Sequence, residues 1–327
     1  MLVIGSNSFS GSSAIARFIE EDYDVLGVSR SEEAPDVFLP YKWRPQTTVN
    51  FKFAALDINA NMCRLKSLLE EFRPNVIINF AAQGMVAESW LSPLDWFQTN
   101  VMAQIELVEF LKTRPYLERF IQFTTPEVYG STTGWISENA PFKPSTPYAT
   151  SRAAFDFHLK NLHDAFGFPV IFTRAANVYG PGQQIYRIIP RAMISCLAGE
   201  SFSLHGGGLS ERAFIHMEDV ADALCKIVER GVVGETYHIS TTQTHKIIEI
   251  VEIIGDYYGT KIDEFVNIVD DRLGKDHAYK LSSRKINEQL GWSAQIDLLD
   301  GLASVDEWLK NNISFLMGVD RVYRHKK

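Results

Sequence analysis

"MLVIGSNSFSGSSAIARFIEE", residues 1–21, carries the reading of the fold. Residues 1–5 form an apolar run of β type. Residues 11–21 follow a helical period, with Ala14, Ile15, Phe18 and Ile19 on one side. Between them lies a short turn bounded by Gly5 and Gly11, with Ser8 at its middle. A strand that runs through a glycine turn into a helix is the opening of a β-α-β unit, whose next strand returns parallel to the first.

The same alternation continues down the chain. "YDVLGVSR" (23–30), "FKFAALDI" (51–58), "NVIINFAA" (75–82), "ERFIQFTT" (118–125) and "PVIFTRAA" (169–176) read as strands, and "MCRLKSLLEEF" (62–72) as a helix. Near-continuous apolar strands separated by helices imply a parallel sheet covered on both faces. The fold class is therefore α/β: a Rossmann-type doubly wound parallel sheet over 1–175, with some later segments returning to it. Past residue 175 the pattern loosens into "NVYGPGQQIYR" and "LHGGGLSER", which suit ligand loops better than a sheet. A helix around 246–258 and "GLASVDEWLKNN" near the end complete a smaller substrate-binding lobe over 176–327.

Composition narrows the function. The chain has 327 residues, 46% hydrophobic and 22% charged, as expected of a globular protein with a substantial core. A formal net charge of −8 argues against nucleic acid as the main partner, because phosphate backbones need clustered Lys and Arg. Cys63, Cys196 and Cys225 lie far apart, in neither a metal-ligand spacing nor a disulfide framework, which predicts a reducing compartment and no metal. "LVIGS" follows Met1 directly, without the basic and apolar regions of a signal peptide, and no apolar run approaches a membrane span. The expectation is a cytoplasmic protein without membrane partners. The basic "RVYRHKK" (321–327) reads as a solvated end.

The turn between Gly5 and Gly11 has the form of a phosphate cradle. It offers a tight turn, close backbone approach and a helix N-terminus that favours an anion. Ser8 stands where the middle glycine of a dinucleotide fingerprint is usual. At the end of the second strand an acid would mark the ribose diol of NAD. Ser29 and Arg30 stand there instead, and an arginine can pair with a 2′-phosphate, which favours NADP with NAD as the alternative. Asp57, after the third strand, is a candidate for the adenine amino group.

"STPY" (145–148) reads as a helix start, with Thr146 as N-cap and Pro147 at the first helical position. Tyr148 and Arg152 then share one helix face. A free tyrosine, with a pKa near 10, is a poor base at neutral pH, and a fixed cation beside it lowers that value. Arginine supplies the charge but carries a planar fork of donors. "FTTPEVYG" (123–130) follows an apolar strand, so Thr125 and Glu127 emerge at the carboxyl end of a parallel strand, where ligands bind in open α/β sheets.

With these segments in order, the chain resembles an extended short-chain dehydrogenase/reductase of the nucleotide-sugar epimerase/dehydratase branch. The resemblance rests on "GSNSFSG", "LDI", "NFAAQ", "TTPEVYG", "PYATSR", "RAANVYGPG", "ERAFIHMEDVADA" and "DRLGKD…KL". Thr125-x-Glu127 is similar to the sugar-nucleotide 4,6-dehydratases, whose glutamate is the C5 base. "Thr-Pro-Glu" with "NFAAQ" and "PYATSRAA" resembles most the dehydratases of legionaminic acid pathways, which act on GDP-N-acetylglucosamine, and also GDP-mannose 4,6-dehydratases.

The resemblance implies Thr125, Glu127, Tyr148 and Arg152 as catalytic residues. It implies Gly5, Ser8, Phe9, Gly11, Ser29, Arg30, Asp57, Ile58 and Ala81, with Tyr148 and Arg152, around a tightly bound, recycled cofactor. It implies Gln83, Asn177, Arg187, Arg212 and Arg272 on a nucleotide-diphosphate sugar, the last two as pyrophosphate arginines. A homodimer through the helices after Pro93 and Pro147 is a further family expectation. Two departures stand out: Pro126 replaces the aspartic acid that protonates the leaving C6 hydroxyl in dTDP-glucose dehydratases, and Arg152 replaces lysine. A C4 oxidase or 4-epimerase is the enzymatic alternative. A catalytically silent NADP-binding regulatory protein is the alternative of another class, against which the retention of Thr125, Glu127 and Tyr148 speaks. Asp219 is expected to support the fold and His216 to pack or cap. Trp90, Trp96, Trp135 and Trp292 are expected to pack sooner than to stack on a base.

Overall fold

The computed structural model describes residues 1–43, 50–271 and 277–325. Its centre is a seven-stranded sheet. In chain order the strands are β1 (Leu2–Ile4), β2 (Val25–Ser29), β3 (Phe51–Ala55), β4 (Val76–Asn79), β5 (Arg119–Thr124), β6 (Val170–Ala175) and β7 (Thr236–Ile239). Their order across the sheet is β7-β6-β5-β4-β1-β2-β3, and every pairing is parallel. β1 has β2 on one side and β4 on the other, so the winding reverses there. The loops at the carboxyl ends of these two strands diverge and leave a crevice.

Strand alternation distributes the apolar side chains. Val3 of β1 joins one buried cluster with Ile15 and Phe18 of the first helix and Leu224 of the helix Met217–Arg230. Leu2 and Ile4 join the opposite cluster with Leu65, Leu107 and Phe155. Helices thus cover both faces, as the unbroken apolar strands require. A third cluster, with Ile189, Met193, Ile254, Leu302 and Trp308, forms the core of the C-terminal lobe among the helices Ile188–Ala198, Ile247–Tyr258 and Leu298–Leu316.

The first helix runs over Phe9–Glu20, two residues earlier than the periodicity suggested, because Ser8 caps it by accepting from Gly11 N. The helix Pro147–Phe166 starts as read, with Thr146 accepting from Ala149 N and Pro147 in the first turn. The segments past residue 175 are more ordered than expected. Asn177–Tyr179 pairs in parallel with Phe214–His216, and Phe202–His205 with Val266–Val269. β7 was not legible as a strand, because "GETYHIS" lacks an apolar run; it becomes one by pairing with β6.

Asp219 accepts from the backbone N–H groups of Gln295 and Ile296, at 2.9 and 3.1 Å, which is a fold-supporting role. Trp96 and Trp292 are buried, Trp90 and Trp135 are exposed, and none of the four borders the ligand cleft. The basic end departs from expectation. Arg321, Tyr323 and His325 are half-buried, and the His325 ring stacks on Trp96 at 4.8 Å. Among the described residues no helix is long and apolar enough to cross a membrane, and no cluster of His, Cys, Asp or Glu could hold a metal.

His216 caps the helix Met217–Arg230 through Nδ1, and its Nε2 lies 3.1 Å from Ser304 Oγ. Burial pushes its pKa down to about 4. An unfolded histidine takes up a proton below its ordinary value, so this group favours the folded state fully above that value and loses its effect as pH falls toward 4. His216→Asn keeps a capping side chain without the titration. The wild type should lose roughly 3 kcal/mol more stability than this variant between pH 7 and pH 4, by urea unfolding. Parallel loss in both chains would contradict a neutral buried His216.

Candidate active site

The crevice at the β1–β4 reversal opens into one cleft of about 1400 Å³ between the sheet and the C-terminal lobe. Of the residues singled out from sequence, Gly5, Ser8, Phe9, Ser29, Arg30, Asp57, Ile58 and Ala81 border it. So do Gln83, Thr125, Glu127, Tyr148, Arg152, Asn177, Arg187 and Arg212. Gly11 does not, and Arg272 lies outside the described residues.

The dinucleotide end is built on the first turn. Gly5 has φ +84°, and a Cβ there would come within 2.9 Å of Ala81 N. A Cβ on Gly11 would lie 2.3 Å from the Gly5 carbonyl oxygen, so Gly11 lets the helix close on the turn. The Ser8 hydroxyl donates to Gly5 O at 2.7 Å and accepts from Gly11 N at 3.0 Å. Ser8 therefore replaces glycine without filling the cradle, since its side chain turns back into the cap. The N-terminus of the first helix borders the cleft at Phe9 and Ser10, a favourable position for a pyrophosphate.

Asn7, which the sequence reading passed over, ties this turn to the loop after β2. Its amide nitrogen donates to Ser31 O and Glu32 O, at 3.0 and 2.8 Å. Arg30 is exposed at the rim. Asp57 uses Oδ1 to accept from Asn59 N at 2.8 Å, so part of its capacity goes to shaping its own turn.

At the reacting centre, Thr125 caps the short turn Pro126–Tyr129 after β5, its hydroxyl accepting from Glu127 N at 3.3 Å. Pro126 is the buried first residue of that turn. Tyr148 projects from the first turn of its helix and shares a hydrogen bond with the Thr125 hydroxyl. Arg152 lowers the Tyr148 pKa as expected but does not decide the net direction. Burial raises the Tyr148 pKa above its ordinary 10.0. Arg152 is the largest opposing influence, Glu127 adds to the rise, and Thr125 and Arg187 oppose it.

Arg152 is 5% exposed and donates from Nη2 to the Phe123 carbonyl near the carboxyl end of β5. Asp156, one helical turn on, feels its charge and accepts from Thr124 Oγ1 at 3.0 Å and Arg174 Nη2 at 2.8 Å. The guanidinium is thus tied to a backbone carbonyl, near a buried carboxylate that is itself paired with Arg174.

A second set of buried amides, also absent from the sequence reading, holds the loop that carries Ala81 and Gln83. Asn100 accepts from Gln83 N at 2.7 Å through Oδ1, and its Nδ2 donates to Gln83 O and to Ser151 Oγ, both at 3.0 Å. It joins that loop to the Tyr148 helix. Asn79 accepts from Ala81 N at 3.2 Å, and Gln104 donates to Ala81 O at 3.0 Å.

On the lobe side, Arg212 is 8% exposed, donates to Glu211 O and His277 O, and lies 4.4 Å from the Tyr279 ring centroid. Tyr279 in turn donates to Asn177 Oδ1 at 2.8 Å. Arg187 sits exposed at the start of the helix Ile188–Ala198. Arg191, one turn further and missed from sequence, also borders the cleft. Three cations therefore face a space large enough for a diphosphate ligand, although the chain is acidic as a whole.

Residues 1–240 match the NAD dependent epimerase/dehydratase family, and the chain belongs to that family. It is 32% identical over 276 residues to a dTDP-glucose 4,6-dehydratase of Xanthomonas campestris pv. campestris, covering 79% of each chain. It is 28% identical to a dTDP-D-glucose 4,6-dehydratase of Homo sapiens, over 98% of this chain and 93% of that one. A dTDP-glucose 4,6-dehydratase from Streptomyces venezuelae, solved with NAD bound, superposes with a TM-score of 0.88 at 28% identity, covering 96% of this chain and 98% of that one.

The balance at Tyr148 is measurable. In the ligand-free protein, the titration step lost in Tyr148→Phe should lie above pH 10, by difference absorbance of the phenolate. Arg152→Met should move that step higher still, because it removes the main opposing charge. A step below pH 10 in the wild type would show that Arg152 outweighs burial.

Proposed function

We propose that the cleft performs a nucleotide-sugar 4,6-dehydration, converting a hexose into its 4-keto-6-deoxy form. The observation that carries this reading is the meeting of Tyr148, Thr125 and Glu127 in one cleft, with the Thr125 hydroxyl on the phenol and the Glu127 charge acting on it. A phenol and a hydroxyl suffice for oxidation at C4. The carboxylate adds a base for elimination, which a simple oxidase or 4-epimerase does not need.

The dinucleotide would lie along Gly5, Ser8, Phe9 and Ala81, and when bound its oxidised nicotinamide supplies a hydride acceptor and a second positive charge. Tyr148, as phenolate, takes the C4 hydroxyl proton, and Thr125 holds the same oxygen. With C4 a ketone, the C5 hydrogen becomes acidic and Glu127 removes it. The C6 hydroxyl then leaves as water and needs a proton. Pro126 has none to give, so the newly protonated Glu127 returns the one it has taken. The proton that Tyr148 took from C4 would then pass to C5, and with the hydride held by the dinucleotide returned to C6 the sum is loss of one water. Arg212 and Arg187 would pair with the diphosphate, assisted by Arg191. Asn177, oriented by Tyr279, and Gln83 would hold the sugar.

Ser29 and Arg30 at the end of β2 support NADP, and NAD is the alternative suggested by the Streptomyces structure. Guanosine as the base rests on the motif resemblance alone, whereas the relatives are named for dTDP-sugars. Exposed Leu94, Met102 and Phe157, at 81, 59 and 57%, support a homodimer through those helices. A cytoplasmic setting fits the three free thiols.

Incubation with GDP-, UDP- and dTDP-hexoses tests the reaction. A product lighter by one water is expected, with the GDP-hexose turned over fastest. An isomer of unchanged mass would point to epimerisation, and no turnover of any donor to a silent binding protein. Glu127→Gln should slow water loss by about 100- to 10,000-fold while leaving cofactor reduction detectable. Undiminished dehydration in this variant would remove Glu127 as the base.

A further inference from the structure

The C-terminal segment after the last helix crosses the mouth of the cleft. Val319, Asp320, Arg321, Val322, Tyr323 and Arg324 all border it. Their burial alternates: Arg321, Tyr323 and His325 are half-buried, whereas Val322 and Arg324 are exposed. The segment is thus an irregular strap, bent at Val322, with one face turned inward.

The strap is fastened on both sides. At its near end Arg321 forms an ion pair with Glu200, which follows the helix Ile188–Ala198 of the C-terminal lobe. At its far end the His325 Nε2 lies 2.8 Å from Asp95 Oδ2, and its ring stacks on Trp96 at 4.8 Å with 25° between planes. Asp95 and Trp96 belong to the short helix Pro93–Phe97, which packs on the Tyr148 helix of the sheet domain. Between these anchors Tyr323 meets Tyr186 edge-on at 5.5 Å and feels the charges of Arg30, Glu88 and Arg187. Arg30 lies at the end of β2 and Arg187 opens a helix of the lobe, so Tyr323 stands over the line between the two halves.

We propose that residues 319–325 are a ligand-retaining strap, in which Tyr323 covers the adenosine half of a bound nicotinamide dinucleotide and His325 latches the strap to the sheet domain. The proposal rests on the reading of the cleft as a dinucleotide site. Its chemistry suits that ligand. An aromatic ring beside Arg30 can cover a purine face, and a latched cover slows departure without adding contacts to the reacting carbons. A reaction that takes hydride from one carbon and returns it to another requires the reduced cofactor to stay in place between the two steps. A cover on the adenosine half serves that requirement.

The test compares the full chain, a chain ending at Val319, His325→Ala and Tyr323→Ala, each loaded with NADPH and then mixed with excess unlabelled NADP. Release is followed by the loss of bound NADPH fluorescence. Release should be about tenfold faster without the strap and clearly faster in both point variants, since differences of this kind fall mainly on the off-rate. Trypsin supplies an independent readout: cleavage after Arg321 and Arg324 in the full chain should slow when NADPH is bound. The point variants remove no backbone, so thermal unfolding close to wild type separates a lost latch from a lost fold. Equal release rates for the full and shortened chains would overturn the strap alone. A full chain that retains no NADPH or NADH overturns the dinucleotide reading as well.

Discussion

The hydrogen bond from Gly5 N to Val28 O, 2.7 Å long, fixes the turn on which the rest of the cleft is built. It commits the chain after β1 to lean toward β2, and the positive φ of Gly5 then sends it past Ala81 and into the first helix. The approach is so close that side chains at residues 5 and 11 would collide with backbone. Space for a diphosphate exists because the backbone after β1 passes close to Ala81 after β4, while Asn7 ties it to the loop after β2. Only small residues permit that approach.

The loop beside this turn is held by buried polar groups. Asn100 grips both backbone atoms of Gln83 and reaches Ser151 on the Tyr148 helix, while Asn79 and Gln104 do the same for Ala81. Each of these amides has nearly its full set of partners, and such satisfied networks specify one arrangement. Below them, Arg152, Asp156 and Arg174 form a charge cluster whose members are all at most 5% exposed. Removing one member would strand the others, which makes the position of Arg152 rigid. A phenol held this way meets its partners at fixed distances, and the cost is a proton that burial makes harder to remove.

Much of this was legible in the sequence. Six of the seven strands, the Thr146–Pro147 helix start and the pairing of Tyr148 with Arg152 follow from local periodicity and capping, which depend on neighbouring residues. The residues that the reading missed depend on distant partners. Nothing near Asn100 announces Gln83, nothing near Asn7 announces Ser31, and "GETYHIS" becomes a strand only because β6 offers an edge. The net shift at Tyr148 was not legible for a related reason. The Arg152 charge is visible at a spacing of four, whereas the walls that exclude water from the phenol come from several separate segments. The tail was misread because alternation over five residues looks like a solvated end until Trp96 and Glu200 are seen beside it.

The placement of β7 bears on how the chain is made. Its four residues complete the sheet at the free edge of β6, yet about sixty residues of the second lobe separate the two strands. During synthesis the sheet domain leaves the ribosome with that edge open. Ile171, Tyr237 and Ile239, which end in one buried cluster, meet only after much of the lobe has been made. An open parallel edge is a site for mispairing with another nascent chain. The two halves therefore mature together, and a fragment cut at the apparent domain boundary would keep that edge exposed.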